Sequence, residues 1–193
     1  VGADGIILVL TSERALLKMR IFNADGSEGE MCGNGIRCFA KYVIERGIVQ
    51  HNGFRLTVET LAGVRTIVPV MEEGRVVAAR VAMGHPELRP EAVPVSLEVE
   101  SGQLVGGAVL NYPLRVGGQS IQLTFVSMGN PHAVAFIDQP VGDFPLHIVG
   151  PAVEPHPLFP RRVNFEIVNR TSDGGLHARV WERGSGETLA CGT

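Results

Sequence analysis

Two stretches near opposite ends of this chain repeat one another, and the repeat limits the possible folds more than any other feature. Placing Cys191 over Cys32 lays Leu176–Thr193 on Leu17–Asn34 without a gap. The pairs Leu17/Leu176, Arg20/Arg179, Glu28/Glu187, Cys32/Cys191 and Gly33/Gly192 are then identical, and Ile21/Val180 and Phe22/Trp181 are similar in kind. Chance resemblance between two strand–turn segments is the plain alternative. It has to place two of the chain's 3 cysteines at equivalent positions, and cysteine is a rare residue, so duplication is the better reading. A duplicated strand–turn–Cys-Gly unit implies two related domains about a pseudo-two-fold axis, with the two cysteines expected to face each other across a cleft.

Short β-patterned runs punctuated by 24 Gly and 12 Pro fill most of the remainder. Strands are expected at Ile6–Leu10, Leu17–Asn23, Phe54–Glu59, Val64–Val70, Arg75–Ala82, Ile121–Val126, Ala133–Ile137, Arg162–Val168 and Leu176–Glu182. Tight turns are expected at Glu72-Glu73-Gly74 and Ser172-Asp173-Gly174-Gly175. One helix stands out from Gly35 to Arg46. Ile36, Phe39, Ala40, Val43 and Ile44 recur there at helical spacing, and Gly47 supplies the stop. A weaker helical pattern covers Asp143–Val149. Gly84-His85-Pro86, followed by Pro90 and Pro94, interrupts the β pattern, so domains are expected at residues 1–82 and 83–193. Strand runs around few helices indicate an α+β class with largely antiparallel sheet.

Composition narrows the function classes. With 45% hydrophobic and 19% charged residues the 193-residue chain reads as an ordinary globular protein. A formal charge of −3 offers no basic face for nucleic acid. No apolar run reaches the ~18 residues of a membrane span, and the first residues do not read as a signal peptide. An odd number of cysteines argues for a reducing compartment, so the cytoplasm is expected. The chain opens without Met and stops at Ala190-Cys191-Gly192-Thr193, so it reads as a fragment.

The setting of each cysteine has chemical meaning. Cys32 immediately precedes Gly33-Asn34-Gly35 and the expected helix. Backbone N–H groups and the helix dipole there favour thiolate over thiol and can bring a cysteine pKa below its usual ~8.5. The same N–H groups can hold a carboxylate, and glycine lets the backbone approach closely. Two opposed units of this kind would clamp one carboxylate and set a sulfur on either face of its α-carbon. One thiolate would then remove the α-proton while the other thiol delivers one, a pairing whose roles swap with reaction direction. Cys38 lies mid-helix between Arg37 and Phe39 and is expected to be a buried small hydrophobe. A zinc site from the three cysteines and His132 lacks the short ligand spacing of structural zinc motifs, so no metal site is expected.

Phe22-Asn23-Ala24-Asp25-Gly26-Ser27 and Met31-Cys32-Gly33-Asn34-Gly35-Ile36-Arg37-Cys38 resemble the signature of the diaminopimelate epimerases. Met128-Gly129-Asn130-Pro131-His132, Arg162-Val163-Asn164-Phe165 and Trp181-Glu182-Arg183-Gly184-Ser185-Gly186-Glu187-Thr188, leading to Ala190-Cys191-Gly192-Thr193, extend the resemblance along the whole chain. It implies two pseudo-symmetric domains, each a mostly antiparallel, β-barrel-like sheet around a central helix, with segments before and after this chain. It implies interconversion of LL- and meso-diaminopimelate in lysine biosynthesis by a homodimer, with neither pyridoxal phosphate nor metal. Cys32 and Cys191 correspond to the catalytic cysteines, and Gly33, Asn34, Gly192 and Thr193 to the cradle for the reacting carboxylate. Asn23, Asn130, Asn164 and Arg183 correspond to polar groups around the substrate, chiefly its distal end; Glu182 and His132 support catalysis, Glu182 also binding substrate.

Those residue types suit a substrate with an amino acid at each end. Asn offers donor and acceptor on one short side chain, Arg183 suits a carboxylate, and Glu182 suits an ammonium group. Taken singly, each Asn also reads as a turn or cap residue, His132 as a structural histidine and Glu182-Arg183 as a solvated pair. A proline or hydroxyproline racemase-like enzyme shares the two-thiol logic but needs no second amino-acid end bound. A thiol-redox or binding protein using a Cys32–Cys191 disulfide lacks the close C-x-x-C pair expected of it.

Overall fold

The computed structural model describes residue 3 and residues 5–50, 55–97 and 102–192. The chain divides into two compact units, Val1–Gly84 with Gly192–Thr193, and His85–Cys191. Each combines a mostly antiparallel six-stranded sheet with an α-helix, so the class is α+β. No helix among the described residues is long and apolar enough to cross a membrane.

The first unit holds β1 (Gly5–Leu10), β2 (Leu17–Asn23), β3 (Glu28–Gly29), α1 (Gly33–Glu45), β4 (Leu56–Thr60), β5 (Gly63–Glu72) and β6 (Arg75–Ala82). The strand order is β1-β2-β4-β5-β6, with β3 paired to β2. Among the described residues only β2 and β4 run parallel, because the chain between them crosses over through α1, as parallel neighbours require. The apolar positions of α1 (Ile36, Phe39, Ala40 and Val43) are buried together with Met19, Val58 and Ile67. At the helix end Ile48 N–H donates to Val43 O and Gly47 N–H to Ile44 O, with Gly47 at φ 65°. This is a Schellman stop, which needs a residue that accepts left-handed backbone.

Cys38 departs from expectation. It is exposed and lines a cavity of about 600 Å³ with Ile7, Val9, Phe39, Tyr42 and Ile48. Two residues from Ile36 on a 3.6-residue helix, it points away from the stripe that Ile36, Ala40 and Val43 bury.

The second unit holds β7 (Gln103–Val105), β8 (Ala108–Leu110), β9 (Tyr112–Val116), β10 (Gln119–Ser127), β11 (Pro131–Phe136), a 3₁₀ turn (Val141–Asp143), α2 (Leu146–Val153), β12 (Asn164–Arg170), β13 (Leu176–Glu182) and β14 (Gly186–Thr188). The main sheet runs β14-β13-β12-β11-β10-β9, and β7 and β8 form a separate hairpin. Among the described residues a single pair, β11 with β12, is again parallel, and again a helix, α2, makes the crossover. The core gathers Leu123, Phe125, Leu146, Val153, Phe165 and Ile167, with Phe125 packed edge-on to Phe159 at 5.9 Å between ring centres.

Differences from the expected elements have local causes. The helix expected over Asp143–Val149 is split by Pro145, which ends the 3₁₀ segment and stands just before α2. The strand expected from Arg162 starts at Asn164, since Arg162 has φ 60° and cannot lie in a ladder. Strands β3, β7, β8 and β14 are too short for a period-two pattern. β9 carries Pro113, tolerated because β9 ends the sheet. Phe54, expected to open a strand, lies outside the described residues.

The sequence repeat has a structural counterpart. In the first unit Ile21 pairs with Gly29 and Phe22 with Glu28; in the second, Val180 pairs with Thr188 and Trp181 with Glu187. These are the same positions of the repeat. Arg20 grips Glu28 through Nε (2.7 Å) and Nη2 (2.9 Å), and Arg179 grips Glu187 in the same way at 2.8 and 3.1 Å. The guanidinium beside each carboxyl holds it below the ordinary glutamate range.

Truncating a fully buried ring tests the second core. Phe165→Ala is expected to cost about 3–5 kcal/mol in urea denaturation, against under about 0.5 kcal/mol for Val77→Ala, whose side chain is exposed on β6.

Candidate active site

Cys32 is the N-cap of α1. Its backbone is extended (φ −138°, ψ 112°), its Sγ accepts from Gly35 N–H at 3.2 Å, and its carbonyl accepts from Ile36 N–H at 2.9 Å. A sulfur in this position faces the positive end of the helix, a setting that favours a thiolate. Gly33 and Asn34 form the first turn, where an α-helix directs N–H groups outward for anions. Asn34 Oδ1 accepts from Arg37 Nη2 at 2.5 Å. Asn23 closes the β2–β3 turn: its N–H donates to Ser27 O (2.8 Å) and its Nδ2 to Ser27 Oγ (3.0 Å). The first unit therefore brings Asn23, Cys32, Gly33 and Asn34 to the hairpin and helix start.

The second unit assembles Asn130, His132, Asn164, Glu182, Arg183 and Cys191 from β11, its preceding turn, β12, β13 and the chain beyond β13. Parallel pairing sets His132 opposite Asn164. Asn164 is buried and joins two segments: its Nδ2 donates to Pro131 O at 3.2 Å, and its Oδ1 accepts from Arg183 N–H at 2.9 Å. Arg183 Nη1 donates to Arg161 O at 3.0 Å, and Glu182 Oε1 accepts from Thr188 Oγ1 at 2.6 Å. Gly192 is exposed and groups with the first unit. Thr193 lies outside the described residues.

Two acidic residues that the motifs do not single out organise this cluster. Glu166, two positions after Asn164 on β12, is buried, and its Oε1 lies 2.6 Å from His132 Nδ1. The other ring nitrogen, Nε2, lies 2.9 Å from Asn130 Oδ1. An amide oxygen can only accept, so with Asn130 oriented this way the Nε2 carries a proton. One further labile proton then lies between Nδ1 and Glu166 Oε1. Burial pushes the Glu166 carboxyl above the ordinary glutamate range, and the bond from His132 opposes that rise. Cys191 Sγ, a His132 ring nitrogen and a Glu166 oxygen all lie within 4.8 Å of one another. The thiol thus has an imidazole–carboxylate pair beside it, able to hold or move a proton.

Glu154, at the end of α2, is the second. Its buried carboxylate accepts from Trp181 Nε1 (2.8 Å), Gly184 N–H (2.8 Å) and Arg162 Nη2. Trp181 and Gly184 flank Glu182 and Arg183, so Glu154 holds the turn that presents both. An acidic residue inside the apolar run Val163–Val168 is the available signal for Glu166, since carboxylates are seldom buried without a partner. Glu154 offers no such signal, because its surroundings are turn-like in sequence.

Comparisons with known proteins bear on this site. Residues 1–89 and 124–193 match the family model described as Diaminopimelate epimerase. The diaminopimelate epimerase of Moorella thermoacetica is 53% identical over the whole chain, and that of Acetivibrio thermocellus 48%; the chain spans 66% and 65% of their respective lengths. Among solved structures, a hydroxyproline epimerase from Agrobacterium vitis with bound trans-4-hydroxy-L-proline superposes with TM-score 0.67 at 16% identity, covering 100% of this chain and 57% of that one. At that identity the likeness concerns fold alone.

The Glu154 network is open to a direct test. Glu154→Leu leaves Trp181 Nε1 and Gly184 N–H without the acceptor they now have, at about 1–3 kcal/mol each where burial persists. We expect a lower urea midpoint and a red-shifted emission from Trp181, the chain's single tryptophan.

Proposed function

The chain belongs to the diaminopimelate epimerase family, and on that premise we propose that the protein interconverts LL- and meso-diaminopimelate for lysine biosynthesis, with Cys32 and Cys191 as paired acid and base. The observation that carries this reading is the repeated hairpin. In each unit an arginine–glutamate grip sets the same register, and a Cys-Gly step comes a few residues later. Two-base inversion uses two groups of one kind that exchange roles with direction, and a repeated local structure supplies such a pair.

In this scheme the first-turn amides of Gly33 and Asn34, with Gly192 and Thr193, hold the reacting carboxylate and so stabilise charge that develops on it. One cysteine, as thiolate, takes the α-proton; the other, as thiol, gives a proton to the opposite face. His132, paired with Glu166, and Glu182 support proton movement around Cys191. Asn23, Asn130, Asn164 and Arg183 recognise the remainder of the substrate, chiefly its distal amino-acid end. Asn164 and Asn130 spend part of their hydrogen-bonding capacity inside the protein, which fixes the orientation of what is left. The reading invokes neither pyridoxal phosphate nor metal, and extends to a cytoplasmic homodimer acting on a small molecule. Light scattering on the full-length protein tests the dimer.

Isotope exchange tests the mechanism. With two thiols, the proton delivered is not the proton removed. In heavy water LL-diaminopimelate is therefore expected to give meso product deuterated at the inverted carbon, while remaining substrate stays almost unlabelled early on. A single mobile base would return protium instead. Cys32→Ala and Cys191→Ala should each abolish epimerisation, and Cys38→Ala should leave it intact. Turnover of proline at a comparable rate would instead favour a racemase that binds no distal end.

A further inference from the structure

The cluster around Cys191 has the make-up of a metal chelate as well as of a proton relay. We propose that Cys191 Sγ, His132 Nδ1 and the Glu166 carboxylate form a binding site for a soft divalent cation of the Zn²⁺ type. The further consequence, that an occupied site is catalytically silent, rests on the role proposed above for Cys191.

Three observations within the second unit carry the assignment. Cys191 Sγ, one ring nitrogen of His132 and one oxygen of Glu166 lie within 4.8 Å of one another. Around a tetrahedral zinc ion, with bonds of about 2.0–2.3 Å, neighbouring ligand atoms stand roughly 3.3–3.8 Å apart. Closure therefore asks for side-chain adjustment of about 1 Å and no change of fold. Next, Asn130 Oδ1 holds the Nε2 of His132 at 2.9 Å. That contact assigns the ring proton to Nε2 and turns the lone pair of Nδ1 toward Glu166. A metal-bound histidine is oriented in the same manner, by an acceptor on its other nitrogen. The cation takes the place of the proton now lying between Nδ1 and Oε1, 2.6 Å apart. Finally, Glu166 Oε2 is buried and has no hydrogen-bond partner among the described residues. A buried carboxylate oxygen in that condition is costly unless a cation or donor reaches it.

Thiolate, imidazole and carboxylate together match the ligands zinc takes in proteins, and three protein ligands leave a fourth position for water or a carboxylate. Motif spacing does not reveal the site, because its members come from three distant parts of the chain. A cation held there ties up the Cys191 thiolate and withdraws His132 from proton transfer.

Binding can be read without any activity measurement. The full-length protein, reduced and metal-free, is titrated with Co²⁺ while thiolate-to-cobalt charge-transfer absorption is monitored, and Zn²⁺ is then added in competition. In parallel, iodoacetamide labelling of the three cysteines is mapped by peptide mass spectrometry with and without Zn²⁺. We expect one cation per chain, a thiolate band that Zn²⁺ abolishes, and protection of Cys191 while Cys32 and Cys38 still react. Glu166→Gln is expected to weaken binding by at least about tenfold, with circular dichroism confirming the fold. Absence of a thiolate band, protection of Cys32 or Cys38 equal to that of Cys191, or unchanged affinity in a folded Glu166→Gln protein would each overturn the site. If Glu166→Gln does not fold, the labelling pattern of the unsubstituted protein decides. Epimerase activity that persists with the site filled would leave the chelate standing and remove the role proposed for Cys191.

Discussion

Each cysteine of the repeat is delivered by a hairpin whose register is set by one bidentate ion pair, Arg20 on Glu28 and Arg179 on Glu187. In both hairpins the guanidinium meets the carboxylate side-on, through Nε and one Nη, and a paired contact of that kind favours one alignment of the residues that lie opposite each other. A slip of one residue would turn every side chain of the short strand to the other face. The residues just beyond, Glu30 to Cys32 and Leu189 to Cys191, would be carried with it. In energy the grips matter little, since solvent screens pairs this exposed. Their value lies in placement.

Stability comes from elsewhere. Each unit packs one helix and one sheet around its own apolar cluster, centred on Ile36, Phe39 and Ile67 in the first and on Phe125, Phe165 and Ile167 in the second. A buried side chain of this size contributes about 1.5–3 kcal/mol. These cores let the polar clusters tolerate unfavourable features, among them the buried Glu166 carboxyl, one of whose oxygens has no partner among the described residues. Such a group is the kind of local exception found where chemistry takes precedence over stability.

The two cysteines do not have the same neighbours. Cys32 caps a helix and takes a backbone hydrogen bond on its sulfur, whereas Cys191 stands beside an imidazole–carboxylate pair. Under the repeat, Asn23 occupies in the first hairpin the position that Glu182 holds in the second. The two hairpins therefore share a scaffold and differ in their polar residues.

Much of this is legible in the chain itself. The repeat, the period of α1, its glycine stop and the place of Cys32 ahead of it depend on residues within a few positions of one another, and local sterics and hydrogen bonding determine them. The motif residues Asn130, His132 and Asn164 are also recognisable one by one. Their partners are not. Glu166 meets His132 only through the parallel register of β12 on β11, and Glu154 meets Trp181 and Gly184 only when α2 packs against β13 and β14. Cys38 reads as buried in the sequence and is exposed in the fold, because the helix stripe that packs on the sheet lies on another side. Pairing between distant segments is settled by how the whole sheet buries its apolar faces, and no local pattern records which carboxylate that burial will leave beside which imidazole.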